Sequence, residues 1–77
     1  MKRKVINESK QQKFKRIAGD RTRKILRMIR ILGNCSNRSV YSYNIDEVNK
    51  IFNSIEKETK RVKTLFKESV ENEFSLE

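Results

Sequence analysis

The residues Gly33-Asn34-Cys35-Ser36-Asn37-Arg38-Ser39 decide the fold of this chain. The sequence contains no proline, so a helix has to end at glycine, asparagine or serine, and this is the one cluster of such residues. The residues on both sides of the cluster show helical periodicity. The cluster therefore predicts a connection between two helices, which we expect to span residues 33–44.

Apolar residues before the connection recur at the 3.6-residue spacing of an amphipathic helix. Ser9 and Gln12 fit a capping box at the start of this helix, and Gly33 with Asn34 suits its end. We expect the first helix to run from about residue 10 to residue 32. Its apolar face comprises Phe14, Ile17, Ala18, Ile25, Met28, Ile29 and Leu32.

The second helix has the clearest start signal in the chain. Asn44-Ile45-Asp46-Glu47 supplies an asparagine N-cap, a glutamate three residues later and two acids in the first turn. The apolar residues that follow alternate by three and four, which is the pattern of a heptad seam. We expect this helix to span about residues 45–73. The seam comprises Ile45, Val48, Phe52, Ile55, Thr59, Val62 and Phe66.

Two long amphipathic helices with a short connection predict an all-α fold, an antiparallel helical hairpin. We expect residues 10–77 to form this single domain and residues 1–9 to form a basic flexible tail. Four further apolar residues lie away from the two apolar faces, and they favour a homodimer that forms a four-helix bundle. The alternative is a monomer whose connection folds back as a third small element. The four residues are Leu26, Ile31, Ile51 and Leu65.

Positive charge is concentrated in the first half of the chain. Residues 1–34 carry 12 Lys and Arg against two acids, a balance of +10, whereas residues 35–77 carry seven against eight, a balance of −1. Such an excess repels itself in the folded protein and is neutralised by a polyanion. The charge therefore indicates a polyanionic partner.

The arginines of the first helix lie opposite its apolar face. At 100° per residue with Phe14 as origin, four of them fall at about 180° and form what we call the arginine stripe. Asp20 interrupts the stripe with a local ion pair. A planar guanidinium suits bidentate phosphate contact, although most charge runs are simply solvated helix faces. The stripe comprises Arg16, Arg23, Arg27 and Arg30, flanked by Lys13 and Lys24.

A second positive zone is expected at the open end of the hairpin. Antiparallel pairing would bring basic residues of the second helix beside the first turns of the first helix, and the Lys2-Arg3-Lys4 tail would join them. The complete set of predicted nucleic-acid-binding residues is Lys13, Arg16, Arg23, Lys24, Arg27, Arg30, Lys60, Arg61 and Lys63.

The residue inventory argues against catalysis. The chain has no histidine and two glycines, which removes the commonest general base and leaves no Gly-rich phosphate loop. Cys35 is the single cysteine, so it forms no internal disulfide, and we expect it to pack in the turn as a small residue. The alternative is a reactive or intermolecular thiol. We expect no enzyme activity, no catalytic residues, no metal and no cofactor.

Two further features concern the connection and the location. Tyr41 and Tyr43 would close the end of the hairpin, and the alternative is that they stack on bases beside Arg38.

No apolar run approaches the length of a membrane span, and nothing resembles a secretory signal. We therefore expect a cytoplasmic protein with no membrane partner.

Part of the chain resembles small uncharacterised helical proteins of bacterial phages and plasmids. The resemblance covers about half of the sequence and implies a mobile-element accessory protein, a class that often binds nucleic acid or inhibits host machinery. It carries over no functional residue. The matching segments are Arg21-Thr-Arg-Lys-Ile-Leu, Ile31-Leu-Gly-Asn-Cys-Ser-Asn-Arg-Ser, Tyr41-Ser-Tyr and Glu47-Val-Asn-Lys-Ile-Phe.

The leading hypothesis is a non-enzymatic accessory protein that binds DNA or RNA through the arginine stripe. The sequence contains no helix-turn-helix, zinc-finger or RNA-binding signature, so recognition of backbone and shape is favoured over base readout. The alternative is a phage- or plasmid-encoded effector that docks its basic helix on an acidic host protein or nucleoprotein and inhibits a host enzyme or defence complex.

Overall fold

Two long α-helices make up most of the chain. The computed structural model describes residues 7–75, and the side chains of residues 7–72. Helix α1 spans Lys10–Gly33, a 3-10 turn spans Asn34–Ser36, and helix α2 spans Ile45–Ser75. No strand occurs within residues 7–75. The all-α prediction is confirmed, and the order helix, connection, helix fits a helical hairpin.

Helix α1 begins at the predicted capping box. The Ser9 hydroxyl accepts a hydrogen bond from the Gln12 backbone N–H at 3.1 Å, and the Ser9 N–H donates to Gln12 Oε1 at 2.9 Å. The first N–H groups of a helix have no partner within the helix, so these side chains supply the missing acceptors. The helix therefore starts at Lys10, where the sequence places it.

Helix α1 ends one residue later than predicted, through a tightened last turn. Gly33 has φ −59° and ψ −26°, and Asn34 has φ −66° and ψ −20°, so both keep right-handed helical values. The Asn34 N–H donates to the carbonyls of Ile31 and Leu32, and the 3-10 turn follows directly. The chain leaves the helical conformation at Asn37, where ψ reaches 105°. A 3-10 turn satisfies the last carbonyls without a left-handed glycine.

Asn37 organises the connection that follows. Its side-chain Oδ1 accepts from the Ser39 N–H at 3.0 Å, and its carbonyl accepts from the N–H groups of Val40 and Tyr41 at 3.1 and 2.9 Å. An asparagine that bonds the backbone two residues on is a standard turn former. The Gly-Asn-Ser cluster that the sequence identifies as the connection therefore includes the residue that forms the turn, Asn37. The role of Tyr41 and Tyr43 stays a prediction.

Cys35 lies in the 3-10 turn but is exposed. The expectation that it packs as a small apolar residue is therefore wrong. The turn is held by backbone hydrogen bonds, including the one from the Asn37 N–H to the Asn34 carbonyl at 3.4 Å, and these do not require its side chain to be covered.

Helix α2 also begins as predicted. The Asn44 N–H donates to Glu47 Oε1 and the Glu47 N–H donates to Asn44 Oδ1, both at 2.9 Å. Asp46 and Glu47 lie in the first turn, where the positive end of the helix dipole favours acids. The helix then runs to Ser75, two residues beyond the predicted end.

Thr59 lies in the heptad seam of α2, and its hydroxyl is hydrogen-bonded. Its Oγ1 donates to the Ile55 carbonyl at 2.8 Å, and Thr64 donates to the Lys60 carbonyl in the same way. This bond turns the polar atom back onto the helix backbone and leaves the methyl group for the apolar face. A threonine is therefore compatible with this seam.

The apolar faces of both helices are exposed. None of residues 7–72 is buried. Phe14 on α1 is 54% exposed and Phe66 on α2 is 55% exposed. The residues divide into two units, one ending at Tyr41 and the other starting at Ser42. Antiparallel packing, a single domain and a dimer stay predictions, and residues 1–6 of the expected basic tail lie outside the described residues.

The capping box of α2 can be tested by replacing Asn44 with alanine. We expect Asn44→Ala to destabilise α2 by about 1 kcal/mol, because the side-chain oxygen that accepts from the Glu47 N–H at the helix start is lost. Asn53→Ala inside the helix is the control, and alanine there is expected to stabilise the helix by a few tenths of a kcal/mol. Urea titration followed by circular dichroism measures both. Equal effects of the two substitutions would contradict the assignment.

Candidate nucleic-acid interface

The arginine stripe lies along one face of α1. The helix is continuous from Lys10 to Gly33, so the angular positions read from the sequence apply to the structure. Arg23, Arg27 and Arg30 lie within about 11 Å along the helix axis at 1.5 Å per residue. All of these side chains are exposed. The stripe therefore faces solvent.

Arg16, which the sequence places in the arginine stripe, is already paired with an acid of the same chain. Its Nε donates to Glu8 Oε2 at 2.7 Å and its Nη2 donates to Glu8 Oε1 at 2.9 Å, which is a bidentate pair. The Glu8 side chain keeps 15% of its surface exposed, against 59% for Arg16. Glu8 precedes the N-cap and lies eight residues from Arg16, so the i+3 and i+4 rules for helices do not reveal this partner.

The pair shifts the titration of both groups. The hydrogen bond from Arg16 lowers the pKa of Glu8 below its ordinary value of 4.5, and the charges of Arg16 and Lys13 act in the same direction. The hydrogen bond to Glu8 in turn raises the pKa of Arg16. Both groups are therefore ionised at neutral pH, and the N-terminal end of α1 carries less net charge than the stripe alone suggests.

Asp20 compensates the middle of the stripe, as the sequence indicates. One of its carboxylate oxygens lies 3.6 Å from Arg23 Nη2 and the other lies 3.6 Å from Lys24 Nζ. These distances exceed a hydrogen bond and all three side chains are exposed, so the pairs are weak. A shallow depression of about 330 Å³ lies at this place. Its lining consists of Arg16, Ile17, Asp20, Arg21, Arg23 and Lys24.

The end of the stripe near the C-terminus of α1 has no compensating acid. Among the described residues, Arg27 and Arg30 make no ion pair and no side-chain hydrogen bond. Arg30 lies in the last turn, where the negative end of the helix dipole favours a cation. Arg27 and Arg30 are therefore the two arginines of the stripe that have no acidic partner among the described residues.

The predicted basic residues of α2 belong to the second unit. Arg61 donates to Glu58 Oε2 at 2.6 Å from Nη2, and this hydrogen bond lowers the pKa of Glu58. Lys60 and Lys63 are exposed and make no ion pair with the described residues. The joining of these residues with the first turns of α1 into one positive zone stays a prediction.

Comparison with known proteins adds no functional assignment, because no family model, no curated protein and no solved structure matches the chain. Neither helix, over the described residues, is long and apolar enough to cross a membrane. Residues 7–75 contain no group of three or more Cys, Asp and Glu residues that could hold a metal ion. The charge geometry of α1 is the functional feature that remains.

The Glu8–Arg16 pair predicts a measurable titration. The folded-state pKa of Glu8 is lowered, so its contribution to stability is present above pH 4.5 and is lost as the pH falls through the folded-state value. We expect the NMR titration midpoint of the Glu8 carboxyl to lie below 4.5 and to return towards it in Arg16→Gln. Arg61→Gln is the control, since it should raise the midpoint of Glu58 alone. A Glu8 midpoint unchanged by Arg16→Gln would refute the pair.

Proposed function

We propose that this chain is a non-enzymatic, cytoplasmic nucleic-acid-binding protein that contacts the phosphate backbone through α1. The observation that carries the proposal is the pair of exposed arginines, Arg27 and Arg30, which have no acidic partner among the described residues. Arg23 and Lys24 extend the same face and are held only weakly by Asp20. This face is opposite the apolar face of the helix.

The distribution of charge supports a polyanionic partner. Helix α1 carries nine Lys and Arg and one acid, whereas α2 carries six against seven. A solubilising surface would interleave both signs, as α2 does. An excess confined to one helix focuses a positive field on one surface, and release of counterions from phosphates then supplies the binding free energy.

The width of α1 also fits the major groove of duplex DNA. An α-helix with its side chains is about 10–12 Å wide, which matches the major groove of B-form DNA at about 12 Å. Arg23, Arg27 and Arg30 are separated along the axis by about 6 and 4.5 Å at 1.5 Å per residue. Contacts from these arginines to phosphates would fix the position of the protein on the duplex without reading the base sequence. We therefore propose binding with little sequence preference.

The test compares two double variants of equal charge. Arg27→Gln with Arg30→Gln should weaken binding to an oligonucleotide by at least about tenfold at low salt, because two charge-assisted phosphate contacts are lost. The slope of log affinity against log salt should become shallower by about 1.8 for duplex DNA. The control is Lys50→Gln with Lys57→Gln on α2, which removes the same charge elsewhere.

Equal weakening in the two double variants would contradict the proposal, as would a wild-type chain that does not bind at low salt. A pulldown repeated after nuclease treatment distinguishes a nucleic-acid binder from the alternative, a protein effector. Stoichiometric recovery of one acidic protein after nuclease treatment would favour a protein effector in place of a nucleic-acid binder. Loss of every partner after the same treatment would support the proposal.

We also propose that the chain binds nucleic acid as a homodimer. The apolar residues of α1 cover about 220° of its circumference when Leu26 and Ile31 are included, and a helix buries about 100° against one neighbour. Leu26 and Ile31 are each 47% exposed, and Leu65 on α2 is 52% exposed. A second copy supplies helices of the same length and the same apolar pattern. The near-neutral α2 is the better contact between copies, because two α1 helices repel each other.

Sedimentation equilibrium tests the dimer. We expect a mass of about twice 9.2 kDa for the wild type and 9.2 kDa for Ile51→Gln with Leu65→Gln, because each glutamine would be desolvated at the interface. Asn53→Gln, on the polar side of α2, is the control and should remain dimeric. A monomeric wild-type protein would overturn this proposal and leave the nucleic-acid proposal intact.

A further inference from the structure

We infer that Arg16 and Lys13 form a phosphate site at the N-terminal end of α1, and that the carboxylate of Glu8 occupies this site in the free protein. The inference rests on the proposed function, since the phosphate is that of a bound nucleic acid. It explains why an arginine on the binding face carries an internal acid. It also divides the face into an open part and an occupied part.

The geometry of the pair is that of anion recognition. Two parallel N–H donors of Arg16 contact the two oxygens of one carboxylate, at 2.7 and 2.9 Å. A phosphate accepts the same two donors in the same fork arrangement. The Arg16 side chain remains 59% exposed, whereas Glu8 is 15% exposed. The guanidinium is therefore held in place for an oxyanion and can still be approached from solvent.

Lys13 adds a second cation to the site. Its charge acts on the Glu8 carboxylate together with that of Arg16, so two cations act on one anion. Both basic residues belong to the predicted nucleic-acid-binding set because of their angular positions on α1. The structure pairs Glu8 with Arg16, and Lys13 acts on the same carboxylate through its charge alone, so these three residues together carry one excess positive charge.

Glu8 can be displaced without unfolding α1. It lies before the N-cap, outside the helix, and α1 begins at Lys10. The capping box that starts the helix is made by Ser9 and Gln12 and does not use the Glu8 side chain. Release of the carboxylate therefore breaks one partly exposed, bidentate ion pair and no backbone hydrogen bond of the helix. A phosphate offers Arg16 the same two charge-assisted contacts, so it can take the place of the carboxylate.

The occupied site favours long polyanions over single anions. A free phosphate has to displace Glu8 by its own affinity for Arg16. A nucleic acid already held at Arg27 presents further phosphates about 17 Å away along the helix axis, at a high effective concentration. Glu8 thus weakens capture of small anions more than it weakens capture of a polymer.

The experiment compares Glu8→Gln with Glu71→Gln, which removes one negative charge from α2. Binding of a duplex oligonucleotide to Glu8→Gln should be about fivefold tighter than to the control, the effect of one ion pair at the protein surface. Its salt dependence should change by much less than about 0.9, the contribution of one phosphate, because Arg16 contacts a phosphate in the complexes of both proteins. With Arg16→Gln already present, Glu8→Gln should tighten binding no more than Glu71→Gln does.

A second readout does not depend on nucleic acid. Titration with inorganic phosphate should shift the Arg16 Nε–Hε NMR signal in Glu8→Gln at lower phosphate concentration than in the wild type. Equal phosphate titrations in the two proteins, or equal oligonucleotide affinities of Glu8→Gln and Glu71→Gln, would overturn the inference. If the Arg27 and Arg30 variant still loses binding, the proposed function survives that failure. Circular dichroism checks that Glu8→Gln keeps its helix content.

Discussion

Reciprocal capping at the start of each long helix is the interaction on which the described structure depends. Starting a helix is costly because several residues are fixed before the first backbone bond forms, and no described residue is buried to offset that cost. The Ser9 and Asn44 side chains accept hydrogen bonds from backbone N–H groups at these starts. The Gln12 and Glu47 side chains in turn accept from the Ser9 and Asn44 N–H groups. The start points in turn fix the angular position of every later residue, including the arginines and the apolar faces.

The charge on α1 changes from one end of the helix to the other. At the N-terminal end Arg16 is paired with Glu8 at hydrogen-bond distance, and in the middle Arg23 lies 3.6 Å from Asp20. Beyond that point, within the described residues, the arginines have no acid. The two acids reduce the repulsion between cations three and four residues apart, which would otherwise destabilise the helix. The uncompensated charge is placed where the helix dipole tolerates it best.

Local rules account for what the sequence predicted. Both capping boxes, both helices and the position of the connection follow from interactions between residues three or four apart, which the order of residues states directly. The contact between Glu8 and Arg16 could not be predicted in this way, because Ser9 is extended and Glu8 lies outside the helical repeat. The end of α1 differs for a related reason. A glycine permits a left-handed cap but does not require one, and Gly33 stays right-handed.

The two faces of α1 can contact different partners. A membrane-surface helix inserts its apolar face into lipid and uses its basic residues for headgroups, so both faces meet one partner. Here the arginines lie about 180° from Phe14, and a polyanion on the stripe leaves the apolar face uncovered. That face then remains available to another helix. Packing and anion binding are therefore separable on α1, whereas Arg16 and Glu8 connect the stripe to the residues before the helix.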